Sequence, residues 1–70
     1  MIVFSTVLEV EGNPILYSVY KNRSLAFLNP SATRHAPIIY ASYEDSSWTI
    51  RGTEDASLKQ QVINEIAITE

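Results

Sequence analysis

Residues 53–68 read Thr-Glu-Asp-Ala-Ser-Leu-Lys-Gln-Gln-Val-Ile-Asn-Glu-Ile-Ala-Ile. Wound at roughly 100° per residue, Leu58, Val62, Ile66, Ile63, Ala56 and Ala67 fall on one half of a cylinder. Gln60, Gln61, Asn64, Ser57 and Glu65 fall on the other half. Lys59 lies inside the apolar arc, where its aliphatic stem can cover the core edge while the ammonium stays in water. Thr53 or Asp55 can accept a hydrogen bond from an orphan amide at the start of the helix. Glu54 and Asp55 also set negative charge at the positive end of the helix dipole. Gly52, just before them, frees the chain to turn out of a strand. The spacing predicts an amphipathic helix over 53–68 that needs a surface to cover.

The preceding residues supply that surface. Residues 2–11 alternate, with Ile2, Phe4, Thr6, Leu8 and Val10 on one face and Val3, Ser5, Val7, Glu9 and Glu11 on the other. Dense β-branching makes this a strand with one face towards a core. Gly12-Asn13 marks a turn, and Pro14 cannot donate a ladder hydrogen bond. Residues 15–21 read as a second strand, apolar on both faces, so alternation does not choose its inner side. Asn22-Arg23 reads as a two-residue turn because Asn tolerates positive φ. Residues 25–28 make a third strand. Pro30 and Pro37 bracket the irregular stretch 29–37 and argue against a helix there.

Residues 38–43 make a fourth strand, 44–47 a polar turn and 48–51 a fifth strand. Pairing Tyr43 with Trp48 places Ile39, Ala41, Tyr43, Trp48 and Ile50 on one face, the core face. Tyr40, Ser42, Thr49 and Arg51 share the other, with Tyr40 opposite Arg51 in an exposed cation–π contact worth about 0.5–1 kcal/mol. The expected fold is α+β: an antiparallel β-meander of four to five strands with one C-terminal helix packed on one face.

Seventy residues are expected to form one domain spanning 1–70. A chain of this size buries only about 60–65% of the surface its unfolded form exposes, so stability is marginal. Disulfides are excluded because the chain has no cysteine, and one histidine makes no zinc site without other ligands. An efficiently packed core or a second copy must supply the rest. The hydrophobic content of 46% marks a folded chain. Met1 runs directly into Ile2, Val3 and Phe4 without a basic stretch, which is not signal-peptide organisation. No apolar run approaches the roughly 20 residues that span a bilayer. The expectation is a cytoplasmic protein without membrane association. Net charge of −3 argues against nucleic acid as a partner.

Candidate chemistry is sparse. His35, beside Arg34 in the 29–37 stretch, could act as a general acid or hold an anion. No cysteine nucleophile or Gly-x-Ser-x-Gly motif accompanies it, and Ser31-Ala32-Thr33-Arg34-His35 lacks the glycine that lets amides crowd a phosphate. Glu44-Asp45 is a turn pair, and Glu54-Asp55 is already used at the helix start. No metal or cofactor motif is present, so no cofactor is expected.

The aromatic residues Tyr17, Tyr20, Phe27, Tyr40, Tyr43 and Trp48 exceed what one helix covers, so some must line the open sheet face. The leading expectation is a non-catalytic interaction module that binds a protein partner or a second copy of itself through that face or an edge strand, with Tyr40 and Arg51 as binding residues. The alternative is a small-ligand-binding or enzymatic domain using the 29–37 loop with Arg34 and His35.

Overall fold

The computed structural model describes residues 1–31 and 36–68. Two tight turns set its registers. Strand β1 (Ile2–Val10) joins β2 (Asn13–Lys21) through Glu11-Gly12, whose φ angles are 52° and 82°. Two consecutive positive values are the type I′ geometry that matches the twist of a hairpin. The expected turn at Gly12-Asn13 is therefore displaced by one residue, and Pro14 explains why. A turn there would put Pro14 in the hydrogen-bonded closing pair, where it has no N–H to give. In the observed register Asn13 closes the turn opposite Val10, and Pro14 falls opposite Glu9.

The second such turn is Asp45-Ser46, at φ 53° and 66°, between β4 (Ile39–Glu44) and β5 (Ser47–Arg51). It aligns Tyr43 with Trp48 and Tyr40 with Arg51, as the sequence implies. The connection from β2 to β3 (Leu25–Pro30) differs from the expected Asn22-Arg23 turn. Asn22 N–H donates to Leu25 O at 2.9 Å, which puts Arg23-Ser24 at the tip. The Asn22 side chain then accepts from the N–H groups of Ser24 and Leu25 at 3.0 and 2.8 Å. Asn22 caps the turn rather than occupying it, satisfying amides that would otherwise face only water.

The five strands form one antiparallel sheet in the order β1-β2-β3-β4-β5. Helix α1 (Ala56–Ile68) closes one side and touches both outer strands, β1 and β5. This is the expected α+β meander with a C-terminal helix. The helix begins at Ala56 rather than Thr53 because residues 53–55 form its cap. Asp55 Oδ1 accepts from Ser57 N–H at 2.9 Å and Leu58 N–H at 3.3 Å, and Thr53 Oγ1 accepts from Asp55 N–H at 3.1 Å.

Leu58, Val62 and Ile66 are buried, facing a core that includes Leu8, Tyr17, Val19, Leu28 and Ile39. Ile63 is half-buried at its margin, whereas Ala56 and Ala67 are exposed, so the contact stripe is narrower than the apolar arc. The undecided strand β2 turns Tyr17, Val19 and Lys21 inward. Tyr17 thus leaves the group of aromatics free to line the open face: it is fully buried, and its hydroxyl donates to Pro37 O at 2.7 Å.

Gly52 carries the chain from β5 towards the helix at φ 105°. A Cβ built there would collide with the Ile38 carbonyl oxygen. Gly52→Ala is expected to cost about 2 kcal/mol or more from strain and the clash together. Chemical denaturation checks this, and an unchanged midpoint would contradict the close approach.

Burial raises the pKa of the Tyr17 phenol above its ordinary value. Its folded pKa lies above the unfolded one, so the contribution is complete below about pH 10 and is lost as pH rises beyond it. Tyr17→Phe should cost about 1 kcal/mol at neutral pH through the lost hydrogen bond. As pH rises beyond about 10 the parent should lose more stability than this variant. Parallel curves in paired denaturation series would refute the burial effect.

Candidate functional site

The strand registers place one residue from each strand in a straight row on the face away from the helix. Val3 pairs with Tyr20, Tyr20 with Phe27, Phe27 with Tyr40 and Tyr40 with Arg51. The rings make a continuous ladder, with centroids 6.0 Å apart for Tyr20–Phe27 and 5.3 Å for Phe27–Tyr40. Both separations lie in the range of favourable tilted ring contacts.

Phe27 on the central strand is half-buried between the two tyrosines. Val3, Tyr20, Leu25 and Tyr40 are exposed, and Tyr20, Leu25, Phe27 and Tyr40 border a shallow cavity of about 300 Å³. Val7, Leu16 and Ile38 extend exposed apolar surface along the same face. Such a connected patch is uncommon on a free-standing monomer and usually marks contact with another molecule.

Tyr40 and Arg51 stand where the sequence placed them, on neighbouring strands of the open face. The expected cation–π contact does not form. The Arg51 guanidinium leans along β5 to Glu44, 3.9 Å from Oε2, which also accepts a hydrogen bond from Ser42 Oγ at 2.7 Å. Both ionic partners are largely exposed, so the pair contributes little to stability. A carboxylate competes successfully with a ring here because it can accept the guanidinium's protons directly. Arg34 and His35 lie outside the described residues. No group of three or more potential metal ligands occurs among the described residues. Nor is any helix among them long and apolar enough to cross a membrane.

At the β1 edge, Gln61 of α1 donates from Nε2 to Glu9 O at 2.9 Å and accepts from Glu9 N–H at 2.8 Å. One side-chain amide thereby takes both free backbone groups of Glu9, as a neighbouring strand would. Thr6 Oγ1 donates to Glu65 Oε1 at 2.6 Å one helical turn further on. Polar helix positions therefore brace β1 and blunt its edge against pairing.

Phe27 and Tyr20 were not singled out from sequence as binding residues. The signal was available in the period-2 pattern of residues 25–28 and 15–21, but assigning it required knowing which face of β2 is inside. No protein-family model, curated protein or solved structure matches the chain.

Gln61→Ala should lower stability by about 1 kcal/mol, since both hydrogen bonds are solvent-exposed. It should also increase slow self-association through the freed β1 edge. Thermal melting and light scattering of parent and variant measure the two effects separately.

Proposed function

We propose that this chain is a non-catalytic interaction module whose open sheet face packs against the same face of a second copy. The aromatic ladder carries the proposal. Across the three central strands the row reads Tyr20–Phe27–Tyr40, with Phe27 on the middle strand. A two-fold axis through Phe27 maps this order onto itself, and self-complementarity is what an isologous dimer contact requires.

Size is compatible with this reading. The two longer dimensions of the molecule, 30 and 23 Å, describe a face of roughly 700 Å², close to the roughly 800 Å² each partner contributes to a standard interface. Charge lies at the borders of the face, where Arg51 and Glu44 already partner each other. Apolar centre and charged margin is the usual anatomy of a protein contact. The hydroxyls on this face support binding more readily than chemistry. Ser18 Oγ and Ser31 Oγ are 3.0 Å apart, and Ser42 is held by the carboxylate that faces Arg51.

Sedimentation of the parent across a concentration series should show a reversible monomer–dimer equilibrium. Tyr40→Ala combined with Arg51→Ala should weaken dimerisation at least tenfold, because Tyr and Arg dominate contact energies in such patches. The melting temperature of the dilute monomer should barely change, since both residues are exposed. A parent that stays monomeric at every concentration removes the dimer reading.

A further inference from the structure

A larger cavity, about 760 Å³, opens on the helix side of the sheet. Its wall is made by the start of β1, the end of β2, Tyr43 and Trp48 of the β4–β5 hairpin, and the last turn of α1. Lys21 forms part of that wall. It follows Tyr17 and Val19 at strand spacing, so the pleat that buries those two also turns Lys21 inward. The residue as a whole is only 6% exposed, while Nζ keeps access to solvent. The ammonium lies 5.7 Å from the centroid of the Trp48 ring. Among the described residues no carboxylate lies within ion-pair distance of it, the one such pair being Arg51 with Glu44.

The buried stem delivers the ammonium to the mouth of the cavity, where it meets the ring of Trp48 and, among the described residues, no carboxylate. The face of Trp48 attracts the positive charge. The C-terminal end of α1, which borders the cavity through Ile66 and Ala67, adds a partial negative charge of roughly half a unit. Neither cancels a full positive charge, and Arg23 on the wall adds a second of the same sign. No acidic side chain lines the cavity among the described residues, and Ile2, Tyr43 and Trp48 make much of the remaining surface apolar.

We propose that this cavity binds a small amphiphilic carboxylate. The acid group would sit against Lys21 Nζ, and the apolar body would lie along Trp48, Ile2 and Tyr43. The volume falls within the roughly 300–1,000 Å³ of small-molecule sites, and an apolar wall with a few converging polar groups is their usual make-up. The cavity lies across the sheet from the aromatic ladder, so ligand binding and dimerisation succeed or fail independently.

Trp48 is the only tryptophan in the chain, so its fluorescence reports on this cavity directly. Decanoate should change its emission saturably, with a Kd on the order of 1 mM or tighter. Decanol, with the same tail and no charge, should bind at least tenfold more weakly. Lys21→Met should abolish that preference. Should Lys21→Met fail to fold, Ala67→Glu provides the second variant. It sets a carboxylate on the cavity wall from an exposed helix position, and should weaken decanoate at least tenfold while leaving decanol unchanged. Equal binding of decanoate and decanol by the parent overturns the proposal. So does a preference for decanoate retained in a folded Lys21→Met, or untouched by Ala67→Glu, or an emission that does not respond to decanoate.

Discussion

Leu58, Val62 and Ile66, with exposures of 1%, 0% and 0%, are the helix's whole fully buried contribution among the described residues. They stand at intervals of four along one line of α1 and sink into the inner face of five strands. Each such side chain contributes about 1.5–3 kcal/mol when taken from water. A chain of 70 residues has little stability to spare, so the sheet depends on this stripe. The Asp55 cap and the sharp exit at Gly52 serve it by starting the helix at the right place and angle. Gln61 and Glu65, one step round the cylinder, tie the same helix to the outer strand β1.

One helix covers one face. That constraint explains why the two sides of the sheet have such different chemistry. Inside, Leu8, Tyr17, Val19, Leu28 and Ile39 reach essentially no exposure, and the Tyr17 hydroxyl finds the Pro37 carbonyl, as a buried phenol must. Outside, the same strands leave Val3, Tyr20 and Tyr40 in solvent beside Phe27. Ring-to-ring contacts steady that outer row without hiding it. The uncovered Tyr-Phe-Tyr row is the basis of the proposed contact with a second copy.

Lys21 breaks the apolar rule of the inner face at its end. Its aliphatic stem lies at the margin of the core, and its ammonium emerges beside the Trp48 ring. The position lies at the end of β2, four residues beyond Tyr17, which sits mid-strand and pairs with Pro30. The inward-turned lysine and the open aromatic row thus occupy different sides of the sheet.

Much of this was legible in the residues themselves. The helix followed from the spacing of Leu58, Val62 and Ile66. Pairing Tyr43 with Trp48 across a polar turn was sufficient to place Tyr40 beside Arg51. Local rules decide these features, because a turn and a period involve neighbours in the chain. Where the reading went astray, a competing group decided. Pro14 moved the first turn to Glu11-Gly12, the Asn22 side chain turned a tip residue into a cap, and Glu44 drew Arg51 away from Tyr40. The inner face of β2 was beyond local reading, since both its faces are apolar. Its register against Phe4 and Leu8 on one side, and Ala26 and Leu28 on the other, sent Tyr17 and Lys21 inward and Tyr20 outward. The sequence determined an amphipathic helix and alternating strands from period alone. Only tertiary packing decided which aromatics were buried, which formed the row and which lysine turned inward, because those outcomes depend on strands meeting across the sheet.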